Sequence, residues 1–280
     1  MPELPEVETV VRSLRDGGQF GPSILRKTIS GAEVLWGRSI AMPEPDVFCA
    51  QLTGQRVAAV SRRGKHIIIH LTDLFLLFHL RMSGELRVDS LYNEEDDAVP
   101  LLPHDRVVLY FSDGHRLAFH NPRKFGRAWL VKEAAEIIGH LGPEPFSEDL
   151  SPDRFYNMLQ KHHRQVKPLL LDQTFLAGMG NIYTDEALFL AKLHPRTSSH
   201  TLNKDDAVRL LAAIRQVLEK GIQANGASID WVYKGGGFQN DFNVYQRTGE
   251  ACVRCGTMIE RMVVGQRGTH ICPICQPVRE

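Results

Sequence analysis

Cys252-Val253-Arg254-Cys255 and, sixteen residues further on, Cys272-Pro273-Ile274-Cys275 form the stretch whose reading decides how this chain is organised. Two Cys-x-x-Cys pairs at such a separation supply four thiolates to one tetrahedral Zn2+. The competing reading is two disulfides, which need an oxidising compartment. No secretion signal is expected here, because the amino terminus is acidic where a basic region and an apolar run would stand. With all four positions filled by protein, the one zinc is expected to be structural rather than catalytic, and the tail owes its folding to it. Cys49 is left over and is expected to behave as a small buried hydrophobe.

Working outward, a chain of 280 residues that is 43% hydrophobic and 24% charged is ordinary globular material, long enough for two domains and a small appendage. The most apolar stretch, His66 to Leu80, is interrupted by Thr72-Asp73. It reads as two buried strands, since a spanning helix needs ~20 unbroken apolar residues, so no membrane partner is expected and the cytoplasm is the default. The formal net charge of zero argues at first against nucleic acid. That sum hides segregation: acid collects in Glu94-Glu95-Asp96-Asp97, while basic clusters stand at Arg62-Arg63-Lys65, at Arg123-Lys124-Arg127 and from Lys161 to Arg164 with Lys167.

From Ile24 to about Leu130 the pattern is short strands and turns, with strands expected at Arg56 to Val60, His66 to Leu71, Leu74 to Leu80, Arg106 to Phe111 and Arg116 to His120. Before them, Pro5 to Leu14 reads as a helix with Val7, Val10, Val11 and Leu14 on one face. After Gly139-His140-Leu141-Gly142-Pro143-Glu144-Pro145, a hinge by composition, the period turns helical. Helices are expected at Pro152 to His162, Pro168 to Asp172, Asn181 to Leu193 and Asn203 to Ala224. Gly178 and Gly180 permit tight turns, and Asn181 is a natural cap for a helix whose first amides could hold a phosphate. The fold class is therefore α+β: an N-terminal antiparallel β-sandwich with flanking helices, a helical domain, and a C-terminal four-cysteine zinc finger.

The first eight residues, Met1-Pro2-Glu3-Leu4-Pro5-Glu6-Val7-Glu8, carry candidate chemistry. Trimming of Met1 would leave Pro2 as a secondary amine with an ordinary pKa of about 8, partly neutral and nucleophilic near pH 7. Glu3 and Glu6 lie close enough in sequence to move protons. Read alone, the octet is equally a helix start, with Pro5 in its first turn and acid at its positive end.

The motifs together resemble the bacterial formamidopyrimidine-DNA glycosylases along nearly the whole chain. They are Pro2 to Thr9, Arg62 to Lys65, His79 to Met82, Asn121 to Gly126, Gly178 to Phe189 and Arg267 to Pro273. The resemblance implies a bifunctional enzyme that excises oxidised purines from duplex DNA and cuts the strand through a Schiff base on Pro2. It implies domains over 1–138 (catalytic), 151–240 (helix–two-turn–helix, DNA-binding) and 241–280 (zinc finger), with a hinge at 139–150. Catalysis falls to Pro2, Glu3, Glu6, Lys65 and Arg267. DNA contacts fall to His79, Asn181, Lys167 and Tyr245, with Met82, Arg123 and Phe125 as the wedge that fills the space of a flipped base. Zinc falls to Cys252, Cys255, Cys272 and Cys275. The chain is expected to be a monomer in the bacterial cytoplasm, at the nucleoid when bound. Two departures stand out: Gln246 replaces the glycine of the usual Val-Tyr-Gly-Arg, where it should bear positive φ less readily, and Ala227 to Phe238 diverges, which bears on damage preference. The alternatives are an endonuclease VIII-type glycosylase for oxidised pyrimidines, disfavoured by Leu4 where that class has glycine, and a non-catalytic damaged-DNA binder, disfavoured by Pro2, Glu3 and Lys65 together.

Overall fold

The computed structural model describes residues 1–228, 233 and 235–278. The backbone divides into two compact units: one comprises residues 1–2, 6–140 and 228–235, the other residues 3–5, 141–227 and 236–280. Helix α1 (Leu4–Asp16) is followed by β1 (Ile29–Val34), β2 (Ile40–Met42), α2 (Pro45–Leu52), β3 (Ala59–Arg63), β4 (His66–His70), β5 (Phe75–His79), β6 (Glu85–Ser90), β7 (Asp105–Phe111), β8 (His115–His120), β9 (Arg127–Val131) and α3 (Ala135–Ile138). One sheet has the order β1-β7-β8-β6 and the other β2-β9-β5-β4-β3. All pairings are antiparallel except β2 with β9.

The alternation read from the sequence puts one face of each sheet in a common core. Ile67, Ile69, Leu76 and Phe78 from one sheet and Val107, Leu109, Leu117 and Phe119 from the other belong to it, with Val7, Val10, Val11 and Leu14 of α1. Phe78 and Phe119 meet edge to face at 5.2 Å across the sandwich, a geometry the aromatic quadrupole favours. The outer face of the five-stranded sheet is closed by Ile68, Leu77 and Val131 packed with Ile137 and Ile138 of α3. The strand expected at Arg56 to Val60 is displaced. Ladder pairing runs from Ala59 to Arg63, because Arg56 and Val57 bond instead to Arg26, Lys27 and Thr28 at the end of the other sheet.

The second unit contains α4 (Pro152–Gln160), α5 (Val166–Leu171), α6 (Asn181–Leu190), α7 (Lys204–Gln223) and the hairpin of β10 (Glu260–Val264) and β11 (Arg267–Ile271). Ser151 caps α4, and Asn203 with Asp206 forms a capping box on α7. Helix α6 is buried nearly all round, including Asp185 and Glu186, and each buried carboxylate must find partners. Glu186 accepts the backbone N–H groups of Asn243, Val244 and Tyr245 at 2.9–3.0 Å. Asp185 accepts from Lys167 Nζ at 2.6 Å and from the His270 N–H at 2.9 Å. At the far end of α6, Arg254 donates to the Phe189 and Leu190 carbonyls and lies over the Phe189 ring. Gln276 donates to the Leu193 carbonyl. The zinc hairpin is thus bolted to this helix by side chains, with only a small apolar cluster of its own.

Asp185→Ala is expected to cost about 3–5 kcal/mol, since it strands the Lys167 ammonium in the interior. Urea unfolding of the variant, followed together with its zinc content, checks this; a loss below about 1 kcal/mol would contradict the role given to the pair.

Candidate functional site

In the first unit, one end of the five-stranded sheet gathers the residues expected to touch DNA. The β3–β4 hairpin turns through Gly64-Lys65, and the register places His66 opposite His79 and His79 opposite Arg127. At this same end the chain leaves β5 through residues 80–84 to enter β6, and leaves β8 through residues 121–126 to enter β9. The first crossing carries Met82, and the second carries Arg123 and Phe125. Met82 is 43% and Phe125 56% exposed, so neither is core packing. Asn121 is buried and roots the second crossing: its N–H donates to the His104 carbonyl and its amide reaches the Gly126 carbonyl. Lys65 is buried. Arg62 donates to Glu8 Oε2 at 3.1 Å and to the Gly64 carbonyl of the Lys65 turn. Burial raises the Glu8 carboxyl, but Arg12 and Arg62 outweigh it and hold it below its ordinary value.

His79 Nδ1 lies 3.0 Å from the Arg81 N–H, which donates to it. Neutral imidazole with Nδ1 as acceptor carries its proton on Nε2, which makes His79 a fixed donor suited to a phosphate oxygen. Burial, with His66, Arg81 and Lys65 adding, pushes His79 down to about 2. Burial with Arg81 and His140 pushes His66 to about 4. Pro2 and Glu6 are buried, while Met1 is half-exposed. Tyr233 belongs to the same core and packs on Phe20 at 6.0 Å. Burial raises its phenol, against a hydrogen bond with Thr9 and with Glu6 and Glu85 adding. Positions 229–232 and 234 of the divergent loop lie outside the described residues.

In the second unit, the start of α6 corrects one expectation. Gly180, not Asn181, is the cap, and no side chain bonds there. The amides expected to be open to a phosphate are occupied by Glu3, whose carboxylate accepts from the Ile182 N–H at 3.0 Å and the Tyr183 N–H at 3.4 Å. A Cβ on Gly180 would stand 2.1 Å from Glu3 Cδ, so only glycine admits the carboxylate there. Leu4 N–H donates to the Gly178 carbonyl beside it.

Asn181 instead donates from Nδ2 to the Gly268 carbonyl at 3.0 Å. Lys167 donates to the same carbonyl at 3.0 Å, to Thr269 Oγ1 at 2.8 Å and to Asp185. Lys167 is fully buried and its three ammonium hydrogens are all engaged. Its expected phosphate contact is therefore corrected: it is an interior cation that holds the residue after Arg267. Arg267 itself is exposed at the end of a two-residue turn in which Gly265 and Gln266 take φ of +56° and +61°, the geometry of a type I′ hairpin. Tyr245 is half-buried, its ring 5.0 Å from His270. Gln246 takes φ +59°, so the turn keeps left-handed backbone without glycine, contrary to the expected change.

Cys252, Cys255, Cys272 and Cys275 place their Sγ atoms all within 4.8 Å of one another, with 3.4 Å between Cys255 and Cys272 and 3.9 Å between Cys252 and Cys275. Four sulfurs at about 2.3 Å from a tetrahedral zinc lie about 3.8 Å apart, so the donor set fits the metal. Sequence reasoning gave no role to Asp185, Glu186 or Gln276. The one local signal was two adjacent acids inside the otherwise apolar Ile182 to Leu190.

A β-sandwich with a basic crossing end, a helix that receives Glu3 at its start, and a zinc hairpin presenting an arginine together define a nucleic-acid-processing architecture. Comparison with known proteins makes this specific. Residues 1–128 match the formamidopyrimidine-DNA glycosylase N-terminal domain, 141–232 its H2TH domain, and 249–278 the zinc finger found in FPG and IleRS. The formamidopyrimidine-DNA glycosylase of Protochlamydia amoebophila is 42% identical, with 99% of each chain covered. That of Cytobacillus firmus is 41% identical over 99% of this chain and all of its own. Among solved structures, Lactococcus lactis FPG with DNA containing FAPY-dG has a TM-score of 0.89 at 36% identity, covering 99% of this chain and 100% of that one. A MutM complex with DNA containing carbocyclic 8-oxo-G has a TM-score of 0.88 at the same identity and coverage. The chain belongs to the formamidopyrimidine-DNA glycosylase family. The four cysteines are the ligands of its one structural zinc, and no helix among the described residues is long and apolar enough to cross a membrane.

His79, which is buried, and His66, which is half-buried, predict an acid-sensitive sandwich. The unfolded chain protonates each near pH 6.5, and the folded chain does so only near 4 and 2. The unfolded state therefore binds more protons below pH 6.5, and stability falls as pH drops. Between pH 6 and 5 each histidine contributes a slope of up to about 1.4 kcal/mol per pH unit. Urea titrations across that window should show a slope reduced by one proton in His66→Gln; an unchanged slope would contradict the burial assigned to His66.

Proposed function

We propose that this protein removes oxidised purines, 8-oxoguanine and formamidopyrimidines, from duplex DNA and then cleaves the strand as a lyase. The single observation that carries the chemistry is the built seat for Glu3: a carboxylate held by two helix amides, at a position where only glycine fits, next in sequence to Pro2. With Met1 removed, the neutral Pro2 nitrogen attacks C1′ of the damaged nucleotide, and the base leaves with the bonding electrons of the glycosidic bond. As the N–C1′ bond forms, the Pro2 nitrogen passes its one proton to the Glu3 carboxylate, and Glu3 then delivers it to the ring oxygen as the sugar opens. Pro2 is a secondary amine, so once that proton has gone its nitrogen has none left to lose and the ring-opened product is an iminium cation. That charge acidifies C2′–H, and loss of this proton expels the 3′ phosphate; a second elimination expels the 5′ phosphate and leaves a one-nucleotide gap.

Lys65, His79, Asn181, Arg267 and Tyr245 serve to hold the backbone phosphates, and Glu6 orients the amino terminus. Met82, Arg123 and Phe125 fill the gap left by the flipped base, at a cost of roughly a few kcal/mol for unstacking. The four-thiolate zinc has no open position, so its part is to order the hairpin that carries Arg267. Work in the bacterial cytoplasm as a monomer, on nucleoid DNA, fits this reading.

Borohydride reduction with a duplex containing 8-oxoguanine should yield a covalent adduct. An extra residue ahead of Pro2, or a retained and acetylated Met1, should abolish it; an adduct that persists would move the nucleophile to a lysine, with Lys65 first. Glu3→Gln should bind damaged duplex yet lose excision by at least about 100-fold, the low end of a general acid's contribution. Arg267→Ala with zinc bound should weaken binding and lower the salt slope by about one phosphate, while unchanged affinity and slope would leave the finger a structural tail.

A further inference from the structure

The crossing that carries Arg123 and Phe125 has a third exposed side chain between them, and its ammonium lies over an aromatic ring. Lys124 Nζ lies 3.8 Å from the centre of the Trp36 ring. Lys124 is also a non-glycine residue at φ +60°, a conformation that side chains adopt only when their surroundings hold them there. Its N–H donates to the Asn121 carbonyl, and its own carbonyl accepts from Arg127 Nη1.

Trp36 is fixed in turn. Its N–H and that of Leu35 both donate to the Arg106 carbonyl, and the Arg106 guanidinium donates to the Asn121 carbonyl at the root of the crossing. The arrangement closes on itself: Trp36 to Lys124, Lys124 to Asn121, Asn121 to Arg106, and Arg106 back to Trp36. Arg123 and Phe125, on either side of the tethered lysine, remain exposed.

We propose that Trp36 is a positioning residue for the wedge: by holding the Lys124 ammonium on its ring, it keeps the left-handed turn in which Arg123 and Phe125 project for insertion. The inference rests on the wedge role given above to Arg123 and Phe125. A cation over an indole is the strongest of the aromatic pairings and a phenyl ring retains part of it. The tether should therefore be graded by ring type and preserved by an arginine at 124.

The test is stopped-flow fluorescence of 2-aminopurine placed next to 8-oxoguanine, which brightens when the wedge unstacks the site. It is read beside affinity for undamaged duplex and the melting temperature. Trp36→Leu should slow the brightening roughly two- to fivefold, the loss expected for releasing such a contact at an exposed site, with undamaged-duplex affinity unchanged. Trp36→Phe should retain most of the rate. Lys124→Gly, which relieves the backbone and removes no core, should slow it similarly, and Lys124→Arg should restore it. Phe125→Ala is the control on the wedge itself. If Phe125→Ala slows the step while Trp36→Leu and Lys124→Gly do not, the tether is refuted and the wedge stands. If Phe125→Ala leaves the step unchanged, the wedge reading falls and the tether with it.

Discussion

A carboxylate taken out of water must be met by donors, and the second unit is arranged around that demand on helix α6. Three carboxylates converge on this one helix. Glu3 sits on its first amides, Asp185 takes Lys167 and the hairpin backbone, and Glu186 takes the amides of residues 243–245. None of these is a surface ion pair worth a few tenths of a kcal/mol. Each is buried, and each fixes a different piece of chain to the same rigid element. A four-cysteine hairpin has almost no core, so zinc alone could fold it without orienting it. Orientation comes from Asp185, Glu186, Arg254 and Gln276, which tie it to both halves of α6.

The same demand explains how position 246 holds left-handed backbone without a glycine. Left-handed backbone at position 246 disfavours a residue with a Cβ, yet Gln246 adopts φ +59°. The three preceding amides are aimed at one carboxylate, so the turn that follows is dictated by Glu186 and not by the preference of residue 246. Glycine there would relieve a modest strain; it is not required to form the turn.

What the sequence made legible follows from the range of the physics. Zinc ligation is written in short spacings, and Cys252, Cys255, Cys272 and Cys275 fall within 4.8 Å as that spacing requires. Strand alternation and the 3.6-residue period are also local, so β4, β5, β7, β8 and the four helices of the second unit emerge within a few residues of their expected ends. Glu3 was legible as an acid beside an amine, but its seat was not, because the amides that hold it lie 179 residues away. Lys167 read as one more basic residue; nothing near it in sequence declares that it is surrounded by Asp185, Gly268 and Thr269. Trp36 was silent for the same reason, since its partner is in a different crossing.

The first unit shows how a two-sheet sandwich keeps large side chains exposed on anchored backbone. In a sandwich, chain that passes from one sheet to the other must cross at an end, and both the β5–β6 and β8–β9 crossings do so at the end where β4 begins. Crossings carry side chains that neither sheet buries, so Met82 and Phe125 can stay exposed on backbone anchored at both flanks by strands. His79, the last residue of β5, ties its imidazole to the Arg81 N–H one residue before Met82. A fixed imidazole donor is thereby joined through one hydrogen bond to the turn that carries Met82. Burial favours the neutral imidazole, the form in which Nδ1 accepts that bond while Nε2 keeps its proton to donate.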